Sequence, residues 1–190
     1  MKTLEKAMRR STWLWLLLSI CLTGCWSYIS KEAQERFQAL EGPFSVTVYP
    51  VHVVKGPTVE HDEDLAIRLM AFLREEKLAN PVLSTETVEI PVTWRHSQPR
   101  MAHQSAIAFA EQVKTTGVQT EYALLVEIFC NPAETKVGGV HFYLSDPTGN
   151  LASGGLTNSH WEEFKEVQPQ DRQGGYEVAT RMLHRIWKRQ

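Results

Sequence analysis

The sequence predicts an α/β fold: a single-domain sandwich of two or three layers around a mixed sheet, in the approximate order (short α)-β-α-β-α-β-β-β-α. Three observations predict it. Segments with strand and helix periods alternate through the first part of the chain, as crossover connections require. Tyr122–Cys130 is nearly all apolar, as a central strand covered on both faces would be. Asp146-Pro147-Thr148-Gly149-Asn150 divides two short apolar stretches as a hairpin turn, with Pro presetting φ and Gly taking a positive φ. Crossovers allow parallel pairing and the hairpin adds an antiparallel part.

The elements follow in order. Ser30 caps a short helix over residues 31–40, with Ile29, Ala33, Phe37 and Leu40 at helical spacing, and Gly42-Pro43 stops it. Phe44–Val54 is a first strand: Phe44, Val46 and Val48 alternate with Ser45, Thr47 and Tyr49, and Pro50 interrupts the ladder. After a turn at Gly56-Pro57, the acidic run Glu60, Asp62, Glu63 and Asp64 opens a helix through about Leu78, which Asn80-Pro81 ends. Acids in a first turn complement the helix dipole, so the cluster needs no metal. Val88, Ile90, Val92 and Trp94 alternate with polar neighbours as a half-buried strand, placed at an edge or bulge by Pro91. Residues 100–116 form a helix with Ala106, Phe109, Ala110 and Val113 inward, stopped by Gly117. Strands over 140–144 and 151–156 flank the hairpin turn. A final helix follows Gly174-Gly175, with Tyr176, Ala179, Met182, Leu183, Ile186 and Trp187 inward.

The chain has 190 residues, 43% hydrophobic and 22% charged, enough apolar material for one real core. Its first part reads as a leader. Residues 2–10 are net positive, and Trp13–Leu22 is a ten-residue apolar run, short of the roughly 20 residues a membrane span needs. The run closes on Leu22-Thr23-Gly24-Cys25. This pattern resembles the lipobox of bacterial lipoproteins. The resemblance implies removal of residues 1–24 as a signal peptide, diacylglyceryl transfer to the Cys25 thiol, and N-acylation of the new terminus. Two or three acyl chains anchor stably where one holds only marginally. In that family an Asp after the cysteine favours the inner membrane; Trp26 here implies the outer membrane, on its periplasmic face. Residues 25–43 are then lipid anchor and short helical linker, and residues 44–190 a single periplasmic domain.

Without residues 1–24 the chain keeps 16 basic and 21 acidic side chains, a net charge of −5. A mildly acidic domain without a concentrated basic face is a poor nucleic-acid binder. With Cys21 removed and Cys25 lipidated, only Cys130 remains, and one thiol makes no internal disulfide. It reads as a small buried residue ending an apolar strand.

The element order and the "LSDPTGNLASGG" hairpin over residues 44–187 resemble small periplasmic α/β domains of envelope proteins. These include the curli-export lipoprotein, the lipoprotein activator of a penicillin-binding protein, and the N-terminal domain of the Tol-system periplasmic protein. The resemblance implies protein-partner binding or self-assembly rather than catalysis.

Motifs for chemistry are absent from the sequence. No His pair has a His-Glu-x-x-His spacing, no Gly-x-Ser-x-Gly elbow occurs, and no glycine pair lies in a phosphate-binding pattern. No catalytic residue, cofactor or metal ligand is assigned. Trp161, in the loop His160-Trp161-Glu162-Glu163-Phe164, and Phe164 are the candidate partner contacts, because interfaces favour aromatic residues. Trp94 and Trp187 lie on apolar faces and read as core. The competing expectation is an envelope hydrolase or small-ligand binder. It requires Asp146, Ser153 and His160 or His141 to converge around a pocket.

Overall fold

The computed structural model describes residues 29–90 and 98–188. Its sheet is built on the strand that the sequence marks most strongly. Strand β5 (Tyr122–Cys130) is buried along its whole length. On one side it pairs antiparallel with β6 (Val137–Ser145), which pairs antiparallel with β7 (Leu151–Asn158). On the other side lies a strand in two pieces, β1 (Phe44–Val48) and β2 (Val51–Lys55), both parallel to β5. Tyr49 bridges them by donating its N–H to Leu124 O at 3.0 Å, and Pro50, which has no N–H, marks the break. Beyond this broken strand, β4 (Ala79–Leu83) runs parallel to β1 and β3 (Thr58–Asp62) antiparallel to β2. The seven strands form one mixed sheet, as expected for an α/β sandwich.

Helices cover both faces, making three layers. Helices α1 (Lys31–Gln38), α2 (Glu63–Glu75), α4 (Glu162–Val167) and α5 (Arg172–Trp187) contribute to one core, built on Val46, Val53, Leu124, Val126 and Phe142. Helix α3 (Pro99–Thr116) closes the other through Ala106, Phe109, Ala110 and Val113 against Ala123, Leu125 and Tyr143. Neighbouring residues of β5 thus enter opposite cores, as strand geometry dictates. Helix α1 belongs to the body of the domain rather than to a spacer. Its Phe37 is 1% exposed and meets Phe44, Tyr122 and Trp187 edge-on at 5.2–6.0 Å.

Several local expectations are corrected. Glu60 and Asp62 lie in β3 and not in a helix; α2 begins at Glu63, with Asp62 as its cap, accepting from Leu65 N at 2.9 Å. The alternation that pairs β3 to β2 overrides the helical signal of the acids. Asn80-Pro81 sits inside a strand, not at a helix end, and is tolerated because β4 is an edge. Val88 and Ile90 are buried against α3 without forming a strand, while Val92 and Trp94 lie outside the described residues. Helix α4 occupies a stretch read as loop, and α5 starts at Arg172, ahead of Gly174-Gly175. Gly175 lies so close to Ile128 that a Cβ there would meet its side chain. The Asp146 turn is as expected: its Oδ1 accepts from Thr148 N (3.0 Å) and Asn150 N (2.9 Å), and Gly149 has φ +82°. Among the described residues no helix is long and apolar enough to cross a membrane.

Candidate functional site: an edge-strand cleft and a buried polar row

Strand β7 forms one rim of the sheet, and beside it lies a cleft of about 380 Å³. It is lined by Ser153, Gly154 and Gly155 of β7, by Met182 and Ile186 of α5, and by Ile29 and Trp161. Glycine at 155 is required by packing, since a Cβ would run into the Phe142 ring. Trp161 is 43% exposed and precedes α4 without a side-chain cap bond. Phe164, one turn later, is 6% exposed and belongs to the main core. Of the two aromatic candidates, only Trp161 offers a surface; Phe164 is corrected to a core residue because α4 turns its side chain inward.

The charges near the cleft are self-compensated. Arg185 lines it and is ion-paired with Glu163, a carboxylate only 7% exposed. A second recess of about 340 Å³ between α2, α4 and α5 carries Glu166, Arg181 and His184. There Arg181 meets Glu166 at 2.8 Å, and His184 meets Glu76 at 3.1 Å.

The residues of the hydrolase expectation are not brought together. Ser153 stands opposite Leu144, and His141 opposite Leu156. Residues 141 and 144 differ by three, so the two side chains leave opposite faces of the sheet. Asp146 is consumed by its own turn and by Arg36, whose guanidinium lies 2.8 Å from its Oδ2. Burial pushes the Asp146 carboxyl up, but the hydrogen bonds from Thr148 and Asn150 outweigh it and the net shift is downward. His160 sits in an exposed turn, its N–H donated to Asn158 Oδ1 at 3.1 Å.

A polar constellation that sequence reading missed crosses the sheet. By strand register, His61, His52, Glu127 and His141 are successive cross-strand neighbours on β3, β2, β5 and β6. The last three are 0% exposed. His52 Nδ1 lies 3.6 Å from Glu127 Oε1, and the His52 and His61 rings meet edge-on at 4.7 Å. Tyr143 donates its hydroxyl to Glu127 Oε2 at 2.8 Å, and His141 Nδ1 lies 3.0 Å from that same hydroxyl. The Tyr143 hydroxyl thus stands between the Glu127 carboxyl and the His141 ring, in contact with both. Among the described residues no group of three or more His, Cys, Asp or Glu is placed to hold a metal ion. The signal was present: Glu127 is the one charge in an otherwise apolar strand. What was missing was the register that aligns it with two histidines.

At the end of the sheet near β3, Arg172 gathers three carboxylates. Its guanidinium reaches Glu134 Oε1 and Oε2, each at 2.7 Å, Asp62 at 2.8 Å and Glu60 Oε2 at 2.9 Å. Lys55 pairs with Glu60 at 2.8 Å and also contacts Glu134. Hydrogen bonds from Arg172 and then Lys55 hold both Glu60 and Glu134 down at about 2. The group ties β2, β3, the β5–β6 loop and the start of α5 into one corner.

No protein-family model matches this chain, and no curated protein matches it. Among solved structures, the C-terminal domain of LpoB from Salmonella enterica is similar at a TM-score of 0.38 and 14% identity. The match covers 66% of this chain and 90% of that one. A superposition at that level does not assign a function.

Proposed function

We propose that this chain is a lipid-anchored envelope protein, held by acylated Cys25 at the periplasmic face of the outer membrane, whose domain binds a protein partner without catalysing a reaction. The observation that carries this reading is Leu22-Thr23-Gly24-Cys25 closing a basic and then apolar leader. Residues 1–24 are the signal peptide in this reading. Because α1 packs into the core, the link between Cys25 and the body shortens to a few residues. Trp161, exposed beside the β7 cleft, is the proposed contact.

The test has two arms. Cys25→Ser abolishes labelling by a fatty-acid analogue and blocks lipoprotein-type cleavage; persistence of both removes the anchor. Trp161→Ala weakens co-purification with a partner crosslinked in the native membrane, at unchanged melting temperature. Unaltered recovery of every partner removes Trp161 as the contact and leaves the anchor standing.

A further inference from the structure

We propose that the cleft is the seat of the chain's own Trp26-Ser27-Tyr28, with the rings of Trp26 and Tyr28 lodged between β7 and α5. The inference goes beyond the protein-binding reading and does not need it. It concerns the segment that joins Cys25 to the domain.

The first argument is where the chain enters the fold. Ser30 donates its N–H to Leu151 O at 3.0 Å and caps α1, which packs on β7. From Ser30 onward the chain itself therefore covers this edge. Ile29, the first described residue, lines the cleft together with Ser153, Gly154 and Gly155. The chain bends at Ile29, so the residues before it leave the axis of α1 beside the cleft.

The second argument is reach. Three residues extend at most about 11 Å, so Tyr28 and Trp26 stay near the cleft whatever path they take from Ile29. A segment tied this closely acts at an effective concentration of about millimolar. A free ligand of equal intrinsic affinity would have to be that concentrated to displace it.

The third argument is chemical fit. Residues 26 and 28 of an extended stretch project to the same side, so both rings can meet one surface. The cleft holds about 380 Å³, within the roughly 300–1,000 Å³ of small-ligand sites. Leu156, Met182, Ile186 and Trp161 supply apolar and aromatic lining, and thioether sulfur and ring edges both favour an aromatic occupant. The Gln34 side-chain amide, also at the cleft, can accept from an indole N–H or a phenol O–H. Arg185 is already matched by Glu163, so the cleft calls for an uncharged occupant, and Trp-Ser-Tyr carries no charge. With Cys25 acylated as proposed above, the docked segment turns the β7–α5 side of the domain toward the bilayer, with Trp161 at its rim.

The experiment replaces Trp161 with p-benzoylphenylalanine in the full chain in native membranes, with Ile107, exposed on α3, as the control position. The expected adduct lies within a single chain, maps by mass spectrometry to residues 26–28, and is absent with the probe at Ile107. Trp26→Ser combined with Tyr28→Ser lowers its yield by about tenfold, whereas Ser27→Ala leaves it within about twofold. An adduct with lipid or with a second copy in place of residues 26–28 overturns the proposal. So does no adduct, or a yield indifferent to the double change. An adduct with another protein alone also overturns it, and keeps Trp161 as a partner contact. Fatty-acid labelling of the same samples separates the readings. Lost label with an intact adduct removes the anchor and leaves the docking; retained label without the adduct removes the docking and leaves the anchor.

Discussion

The Tyr143 hydroxyl donates 2.8 Å to Glu127 Oε2, diagonally across the β5–β6 ladder, and both residues are 0% exposed. A buried carboxylate is tolerated only where donors meet it. Tyr143→Phe keeps the ring and removes one donor, so it should cost about 1–3 kcal/mol of folding free energy. The midpoint of urea unfolding measures this, and an unchanged midpoint would show that the carboxylate does not need this hydroxyl.

Trp161 and Phe164 separate surface from core within one short helix. Phe164→Ala should destabilise by about 3–5 kcal/mol through lost packing and a cavity. Trp161→Ala should stay within about 0.5 kcal/mol. Paired thermal melts check this, and equal losses would mean that the indole packs as core.

The Arg172 corner gives stability a defined pH dependence. Glu60 and Glu134 are held at about 2, below the ordinary carboxylate value of 4.5. A lowered folded-state pKa stabilises fully above the unfolded value, and that contribution is lost as pH falls from about 4.5 toward 2. Glu60 has 43% of its side chain exposed and Glu134 24%, so salt screens the first more than the second. Arg172→Met should lower the melting temperature at pH 7 and flatten its fall between pH 4.5 and 2. Parallel profiles for the variant and the parent chain would contradict the assignment.

Gly175→Ala offers a choice between helix propensity and space. Alanine gains about 1 kcal/mol in a helix interior. Its Cβ would meet the Ile128 side chain in the sheet below, and overpacking costs about 1–3 kcal/mol. Net destabilisation is expected in denaturant titration, and a smaller loss from Gly175→Ala in an Ile128→Ala background, which removes the Cγ2 that the new Cβ meets, would identify the contact responsible.

Cys130 is buried, and desolvation pushes its thiol up to about 11. Only the thiolate reacts readily. At pH 8 the native protein should resist iodoacetamide at this position and be alkylated fully once unfolded, as intact-mass measurement would show. Rapid native labelling would mean that the end of β5 opens.

Local chemistry was readable along the chain. The apolar run of β5, the Asp-Pro-Thr-Gly turn before β7, the helix ending at Gly117 and the buried Trp187 all follow from period and turn residues, which act within a few positions. The lipobox pattern is equally local, and it falls outside the described residues. Trp161 was recognisable as a surface aromatic, but Phe164 was not recognisable as core, because an apolar residue in a short polar stretch has no period to place it.

Only tertiary structure decided the rest. Glu60 and Asp62 carry a helix-start signal, yet they form β3 because β2 stands ready to pair with it. Pro81 lies in a strand because β1 accepts it at an edge. The row of His61, His52, Glu127 and His141 exists only when strands distant in sequence settle into one register. Sequence determines which face a side chain takes within its own strand. Which residue it then stands beside is set by burying both faces of the sheet at once, a condition no single segment contains.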